Sequence, residues 1–351
     1  MIECIFTIDY EVYGNGEGSL EELVYEPAQR LKAVFDQAGA KFVVFVEAAE
    51  FEKIESFHTD SCIEGVKRQI REFHKQGFEI GLHLHPQWCN ARFQNGKWML
   101  DYKEYNLCLL QKARIAEIVR GSIAYLQRIL GVSDFIPLSF RAGNWLFQPT
   151  QAASEVLAKN GIRVDSSVFK GGRQHQYRLD YRQASRNGNF WTFRDEVAMP
   201  DPAGAMLEIP IHTQLVPFWR MLTGKRVSLQ QKSSSRPRPL QQRFYRFLDL
   251  LRWYHPLKFD FCRMTLRELI SLMEGALLEE QKDSSVYRPM VAIGHTKDLV
   301  DFETVGAFLE YLRNKGIRIS IFDEVYRRCK IKPLNSSPDS FGIVASSVGL
   351  Q

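Results

Sequence analysis

Two pairs of side chains in this sequence have the types and the spacing that metal chemistry needs. One residue separates His83 from His85, and one residue separates Asp9 from Glu11. In an extended strand, residues i and i+2 point to the same face, so both members of a pair can turn toward one ion. Taken alone, the histidines could equally be a hydrogen-bonded surface pair, and the carboxylates a helix cap or a loop pair. Because both pairs directly follow predicted strands, the pattern favours a metal site with two histidines, one carboxylate and open positions for water and substrate.

Four further polar residues follow predicted strands in the same way. Each comes after a short run rich in β-branched or aromatic residues, which is typical of a buried strand. In barrels and in open parallel sheets, active sites are built at the carboxyl ends of the strands. The sequence therefore predicts that these residues share one site with the two pairs. They are Arg141, Asp165, Glu208 and His295.

The order of these motifs resembles that of the polysaccharide deacetylases, the fourth family of carbohydrate esterases. The segments that carry the resemblance are FTIDYE, EIGLHLHP, SFRAGNW, VDSSVF, LEIPIH and IGHT, and the resemblance covers about residues 3–325. The chain resembles a divergent branch, because Asp9-Tyr10-Glu11 stands where the family has adjacent aspartates. A single residue between His83 and His85 also replaces a longer spacer. The resemblance implies a distorted (β/α) barrel that hydrolyses N-acyl groups of amino sugars.

The resemblance also implies a role for each residue. Asp9 would be the general base, held by Arg141. His295 would be the general acid, oriented by Asp165. A divalent ion is implied, with Zn²⁺ as the first choice and Co²⁺ or Ni²⁺ as alternatives. Its ligands would be Glu11, His83 and His85.

These roles predict a metal-dependent hydrolase that removes an acetyl or formyl group from an amino sugar in a glycan, a glycolipid or a nucleotide-sugar precursor. The ion would polarise the amide carbonyl, Asp9 would deprotonate the attacking water and His295 would protonate the leaving amine. Two alternatives remain open. One is a catalytically silent module that binds glycans or lipid head groups on the same fold. The other is a metal phosphoesterase.

Four residues are candidates for contact with the substrate, because they adjoin the predicted site. Aromatic faces suit sugar rings, although a tryptophan near a site is as often a core or rim residue. For Glu208 the alternative is a supporting role behind the site. The candidates are Glu208, Trp88, Asn144 and Trp145.

Strands and helices alternate along the chain, which predicts parallel strands with right-handed crossovers. Seven or eight such units favour an α/β fold with one domain, a distorted and incomplete (β/α) barrel, over an open doubly wound sheet. We expect this catalytic domain to span residues 1–330, with a basic insertion at about 220–258. Residues 331–351 are small and polar and are expected to form a flexible tail.

Composition and charge restrict the partners. With 45% hydrophobic and 25% charged residues, the chain has an ordinary globular composition, and its net charge is only +5. The stretch from Ile209 to Leu248, which includes most of the basic insertion, in contrast has no acid. It predicts either peripheral contact with an anionic membrane surface or a solvated basic loop, and no motif predicts binding to nucleic acid. The sequence has no recognisable signal peptide and no paired cysteine motifs, so we expect a cytoplasmic protein with reduced thiols.

Overall fold

The computed structural model describes residues 1–221 and 253–331. Fifteen strands occur in this part of the chain. They are β1 (Ile2–Tyr10), β2 (Val43–Glu47), β3 (Glu79–Leu84), β4 (Arg92–Gln94), β5 (Lys97–Met99), β6 (Ser139–Ala142), β7 (Val164–Asp165), β8 (Arg173–Gln174), β9 (Leu179–Asp180), β10 (Trp191–Phe193), β11 (Met206–Glu208), β12 (Thr213–Pro217), β13 (Tyr254–Lys258), β14 (Arg288–His295) and β15 (Arg318–Ile319).

The same residues form eight α-helices, most of which connect strands of the main sheet. They are α1 (Glu26–Gln37), α2 (Ala48–Phe57), α3 (Ile63–Lys75), α4 (Lys112–Leu130), α5 (Gln151–Lys159), α6 (Leu266–Lys282), α7 (Phe302–Asn314) and α8 (Phe322–Ile331).

Nine of the strands form one sheet, in the order β10-β11-β7-β6-β3-β2-β1-β14, with β15 also paired to β1. All neighbours from β11 to β14 run parallel, and only β10 is antiparallel to its partner. Beyond β11, Ile211 forms isolated parallel bridges to Phe169 and to Val291 of β14. The sheet therefore curls back on itself as a distorted, incomplete (β/α) barrel. This architecture confirms the predicted fold and rejects the open doubly wound sheet.

The central strands are buried along their whole length, as parallel strands covered on both faces must be. Every residue of β1 and of β2 is buried. Phe6 of β1 packs edge-on against Phe35 of α1, with the ring centroids 5.3 Å apart. Helices rest on the outer face of the barrel in this way, and their packing holds the strand ends in place.

Two helix boundaries show what local sequence determines. Pro27 is predicted to lie at a helix start, and α1 does begin at Glu26 after a π-helical turn at Glu21–Tyr25. The apolar spacing predicts a long helix over about Leu107–Leu130, but the helix begins only at Lys112. Asn106 accepts a hydrogen bond from the backbone of Cys108 and fixes a separate short turn before it. The apolar pattern is continuous here, but the side-chain cap divides the segment.

Strand register brings the predicted site residues side by side. Asp9 lies opposite His295, and His83 lies between Glu47 and Arg141. Further along the sheet, Asp165 lies opposite Glu208. Polar side chains that follow separate strands in the sequence are therefore neighbours at one edge of the barrel.

Some predictions concern parts of the chain outside the described residues. Most of the basic insertion and nearly all of the expected tail fall at 222–252 and 332–351, so their predicted roles stay predictions. Among the described helices, none has the length and apolar character needed to cross a membrane. The six cysteines are free thiols.

Candidate metal centre and active site

Glu11, His83 and His85 converge at the carboxyl end of the barrel. One ligand atom from each residue lies within 4.8 Å of the others, and all three residues are buried. Glu11 Oε2 is 3.0 Å from His85 Nε2 and 3.5 Å from His83 Nε2. His83 lies in strand β3 and His85 follows in an extended conformation, so the i, i+2 spacing turns both imidazoles toward one point.

Hydrogen bonding leaves His83 ready to bind an ion. Its Nδ1 lies 2.9 Å from the carbonyl oxygen of Arg141, and a carbonyl can only accept, so Nδ1 carries the proton and donates it. This fixes Nε2 as the atom with the free lone pair. Nε2 is buried and has no hydrogen-bond partner among the described residues. A buried polar atom in this condition fits a metal ligand.

His85 is held by two amides. Its Nδ1 lies 3.2 Å from Gln87 Nε2 and 3.3 Å from Asn144 Nδ2. Gln87 Oε1 is buried without a partner in the described structure. If the Gln87 amide is turned over, this oxygen accepts a hydrogen bond from Nδ1–H, and Nε2 of His85 is left unprotonated for the ion. The Gln87 side chain can therefore serve the form of His85 that a metal requires.

The electrostatics of the cluster favour a cation. Burial alone would lower the pKa of His83, but the charges of Asp9, Glu11 and Glu47 outweigh it and raise the pKa to about 9. Burial likewise opposes the charge of Glu11, yet Lys297 and the two histidines hold the pKa of Glu11 well below its usual range. Carboxylates that draw a proton onto a buried imidazole would also attract a divalent ion at the same place.

Lys297 is a part of this centre that the sequence analysis does not single out. Its Nζ donates to Glu11 Oε1 at 2.7 Å and to the carbonyl of Val12 at 2.9 Å. Because Lys297 occupies Oε1, the other oxygen of Glu11 faces the histidines. Lys297 lies two residues after His295, so the same strand-end rule could have identified it.

Glu47 is a second residue beside the candidate metal centre that the sequence motifs do not indicate. It ends strand β2, and its Oε2 accepts a hydrogen bond from the backbone of His85 at 2.6 Å. Burial raises its pKa to about 8, although the charge of His83 opposes that rise. Its other oxygen is buried without a partner in the described part of the chain. Glu47 therefore positions the His85 backbone from behind the metal centre.

Asp9 is fixed between an arginine and a histidine. Its Oδ1 accepts a hydrogen bond from Arg141 at 2.7 Å, and its Oδ2 lies 3.4 Å from His295 Nε2. Burial pushes the pKa of Asp9 up, but Arg141, His83 and His295 together lower it below its ordinary value. Asp9 is thus an ionised carboxylate beside the metal cluster, a suitable proton acceptor.

Arg141 lies fully buried inside the barrel. Besides Asp9, it donates to Thr7 Oγ1 at 2.9 Å and to the carbonyl of Ser166 at 2.9 Å. Its guanidinium also stacks 4.2 Å above the ring of Phe45. Arg141 therefore connects strand β6 to strand β1 and to the turn that follows β7, and its role of holding Asp9 stays a prediction.

The partner of His295 differs from the expected one. His295 Nδ1 lies 3.8 Å from Asp298 Oδ2, and Arg263 donates to that same oxygen at 2.9 Å through Nε. Burial lowers the pKa of His295, and the charges of Asp9 and Asp298 oppose the shift. Asp298 follows three residues after His295 on the turn that ends β14. Asp298, and not Asp165 as predicted, is therefore the carboxylate beside His295.

Asp165 instead belongs to a buried group on the other side of Arg141. Its Oδ1 accepts from Ser167 Oγ at 2.7 Å, and it shares a hydrogen bond with Glu208 on the neighbouring strand. Burial raises the pKa of both acids, that of Glu208 most strongly. The pair holds the β7 turn, where Ser167 Oγ in turn accepts from the backbone of Ala142 at 2.8 Å. The expectation that Asp165 orients His295 is corrected, because the contacts of Asp165 are made on a different strand.

Two of the residues predicted to contact the substrate, Trp88 and Glu208, are not exposed to solvent. Trp88 is fully buried and packs edge-on against Trp98, with the ring centroids 5.0 Å apart. Glu208 is also fully buried, and its Oε1 accepts from the backbone of Val168. Both are therefore corrected to structural positions behind the site.

Asn144 and Trp145 do adjoin the site. Asn144 reaches His85, as described above, and the ring of Trp145 stands perpendicular to that of His295 with centroids 6.0 Å apart. Both residues have positive φ angles, 54° and 60°, which place them on a tight turn after β6. A cleft of about 1410 Å³ leads to this region and is lined by Lys297, Asp298 and several tyrosines.

Comparison with known proteins yields matches only at the level of structure. No protein-family model matches the sequence, and no curated protein matches it. A Mycobacterium smegmatis protein described as a polysaccharide deacetylase has a similar structure, with a TM-score of 0.53 and 13% identity over 94% of this chain and 90% of that chain. A Pseudomonas aeruginosa protein described in the same way gives 0.51 and 11% identity over 94% and 91%.

A glycoside hydrolase family 57 branching enzyme from Thermococcus kodakaraensis is similar too. Its TM-score is 0.56, with 12% identity over 93% of this chain and 70% of that chain. At such low identity the likeness shows the fold alone. The chain therefore has the barrel shared by these carbohydrate-active proteins, and the predicted resemblance to the polysaccharide deacetylases is confirmed at the level of fold.

Proposed function

We propose that this protein is a metal-dependent hydrolase that removes an N-acyl group, acetyl or formyl, from an amino sugar. The observation that carries the proposal is the placement of Asp9 between Arg141 and His295, directly beside the cluster of Glu11 and the two histidines. A base, an acid and a set of metal ligands at one end of a barrel match the needs of amide hydrolysis. A module that only binds sugars has no need of this combination.

The metal proposal rests on the donor set. Two imidazole nitrogens and one carboxylate oxygen, with the Nε2 of His83 unpartnered among the described residues, suit a catalytic Zn²⁺ with open positions. Co²⁺ and Ni²⁺ accept the same donors. When bound, the ion would supply a Lewis acid for the acyl carbonyl and lower the pKa of a water molecule.

The protein's own residues would then move the protons. Asp9, kept ionised by Arg141, would accept a proton from the attacking water. His295, when protonated, would give a proton to the leaving nitrogen, because an amine departs poorly as an anion. Asp298 would favour the protonated form of His295 through its negative charge. Arg141 would hold Asp9 in place and would not itself touch the substrate.

An amino-sugar substrate is supported by the fold and the cleft. Two of the structures with the same barrel are described as polysaccharide deacetylases. The cleft beside the site includes Tyr105 and Tyr177, whose rings stack with centroids 5.0 Å apart. Aromatic faces and amide groups in one cleft suit sugar rings. A glycan, a glycolipid and a nucleotide-linked sugar all contain such a ring.

Cleavage of glycosidic bonds is an alternative reaction for this site, because a branching enzyme has a similar barrel. That reaction uses two carboxyl groups on either side of the scissile bond. Asp165 and Glu208 are hydrogen-bonded to each other and have no exposed surface. Asp9 and Glu11 are both engaged by cations and lie beside histidines. The site therefore favours metal-assisted amide hydrolysis over glycoside hydrolysis.

The test is release of acetate and formate from a panel of amino-sugar conjugates by the Zn²⁺-loaded protein. We expect release by the wild type and a loss of about 100-fold or more in Asp9→Asn, since a general base contributes that much. Asp134→Asn changes an exposed aspartate and should leave the rate unchanged. Binding of conjugates without release would indicate a silent module. Release of phosphate from sugar phosphates would indicate the phosphoesterase.

A further inference from the structure

Lys258 reaches the catalytic region from a hairpin that the mechanism above does not use. It is the last residue of β13, which pairs with β12 so that Lys258 lies opposite Thr213. The next residues attach the hairpin to the barrel: Phe259 donates to the carbonyl of His212, and Asp260 bridges Ile293 of β14. The hairpin therefore presents Lys258 beside the end of the strand that carries His295.

An aromatic pocket holds the Lys258 amine. Its Nζ lies 3.0 Å from the ring centroid of Trp145 and 4.7 Å from that of Phe169. Trp145 also packs edge-on against His295. Lys258 and the proposed general acid therefore contact the same indole ring.

The Lys258 amine has no anionic partner among the residues that the structure describes. Within residues 1–221 and 253–331, the structure gives Lys258 Nζ no hydrogen bond and no ion pair. The carboxylates of Asp260 and Asp9 attract its charge from a distance, while Arg263 and Arg141 repel it. Burial, the largest effect, lowers the pKa of Lys258 to about 7. Cation–π contact replaces only part of the hydration that such an amine loses, so an oxyanion placed against it would be bound favourably.

We propose that Lys258 is a specificity-determining residue that binds an anionic group, a carboxylate or a phosphate, carried by the substrate next to its N-acyl nitrogen. The inference rests on the proposed function for the position of the reacting amide. It narrows the substrate to acidic amino sugars, either uronic acids or sugars linked to phosphate. Lysine suits this task because its ammonium group is a compact charge with three donors that adapt to either oxyanion.

The first test measures binding, which does not require turnover. Glucuronate and inorganic phosphate serve as probes, with glucose as the neutral control, on the full-length, metal-loaded Asp9→Asn protein by calorimetry. We expect Lys258→Met to weaken binding of at least one anionic probe by about tenfold, the effect of losing one charge-assisted hydrogen bond. Lys258→Arg should retain most of that affinity. The probe that loses affinity distinguishes a carboxylate source from a phosphate source.

A matched control separates this effect from a general loss of packing. Lys41 lies 4.3 Å above the ring of Phe78, away from the catalytic end, so Lys41→Met removes a comparable cation–π contact. It should leave probe binding unchanged. Equal affinity of Lys258→Met and its parent for both anions would overturn the proposal. An equal loss of affinity for glucose would also overturn it, because that result indicates a structural role.

The second test uses kinetics, if the protein proves to be a deacylase. Lys258→Met should raise KM for amides that carry a carboxylate or phosphate about tenfold, with a smaller change in kcat and little effect on neutral amides. Equal changes for charged and neutral amides would contradict the proposal. If no amide is hydrolysed, the proposed function fails while the binding measurement still decides the role of Lys258.

Discussion

At the scale of single residues, the site concentrates acids that burial would keep uncharged. Glu11, Glu47 and Glu50 lie close enough to affect one another, and burial raises the pKa of Glu47 and Glu50. Glu11 alone has a lysine at hydrogen-bond distance, and its pKa falls. Lys297 thus selects which of the three carboxylates is ionised and faces the histidines. A carboxylate must be ionised to bind a metal, so Lys297 favours Glu11 as the proposed carboxylate ligand.

The first prediction concerns the carboxylate that supports His295. Because the charge of Asp298 raises the pKa of His295, Asp298→Asn should lower that pKa further. A general acid must be protonated, so the alkaline limb of the pH–kcat profile should move to lower pH, with kcat about tenfold lower at neutral pH. The pH–rate profile of acyl release measures this shift.

Asp165→Asn is the matched control for that prediction. Asp165 contacts Ser167 and Glu208, and it is not among the charges that act on His295. The alkaline limb of the pH–kcat profile of Asp165→Asn should therefore stay at the wild-type pH. If Asp165→Asn moves the limb and Asp298→Asn does not, Asp165 is the orienting acid after all.

At the scale of elements, strand β3 carries His83 and leads directly into His85, and it is tightly packed against its neighbours. A Cβ atom added at Gly81 would lie 2.7 Å from the ring of Phe45 and 2.8 Å from Ser139 Oγ. Strands β2 and β6 therefore press against β3 at the position two residues before His83. The close packing fixes the direction of the histidines, which a metal site requires.

Substitution of that glycine gives the second prediction. Gly81→Ala should lower the free energy of unfolding by about 1–3 kcal/mol, because overpacking displaces Phe45 or Ser139. Gly121→Ala, on the exposed face of α4 with no atom near its added Cβ, should raise it by about 0.5–1 kcal/mol. Urea unfolding of the two variants measures both changes. Destabilisation of equal size in both would show that β3 is not tightly packed.

The third prediction uses Glu79, at the start of β3. It accepts hydrogen bonds from Ser139 Oγ and from the backbone of Asp323, and burial raises its pKa to about 7. The folded protein therefore binds the proton more tightly than the unfolded chain does. The stability that Glu79 contributes should be complete below the unfolded pKa of about 4.3 and should decline as the pH rises to about 7.

Thermal unfolding of wild type and Glu79→Gln at pH 5 and pH 8 tests this sign. The difference between the two proteins should favour the wild type more at pH 5 than at pH 8, by on the order of 1 kcal/mol for a partly exposed group. A difference that is the same at both pH values would contradict the raised pKa of Glu79.

At the scale of the whole molecule, the sequence predicts the barrel and the convergence of its strand ends. Buried strand runs followed by Asp9, His83, Arg141 and His295 determine which residues meet, because parallel strands bring their carboxyl ends to one edge. The i, i+2 spacing in β3 likewise predicts that both histidines face one point. These features depend on local pattern alone.

Other features depend on tertiary packing that no local pattern encodes. Trp88 follows the histidines closely, but its exposure is decided by Trp98, which arrives on a separate hairpin. Asp165 follows a strand as well, but the curvature of the barrel places it with Glu208 and away from His295, whereas Asp298 lies beside His295 on the turn that ends β14. Lys258 comes from a hairpin far along the chain. Such distances across the barrel are set by the whole fold.

The central claim is that Glu11, His83 and His85 hold one divalent ion, and metal binding by the purified protein tests it most directly. We expect the apo protein to take up one equivalent of Zn²⁺, and His83→Asn to bind it at least about 100-fold more weakly, since a ligand is lost. His58→Asn, at an exposed turn with positive φ that asparagine tolerates, should bind Zn²⁺ like the wild type. A wild type that takes up no Zn²⁺, Co²⁺ or Ni²⁺, or a His83→Asn variant with wild-type affinity, would contradict the account.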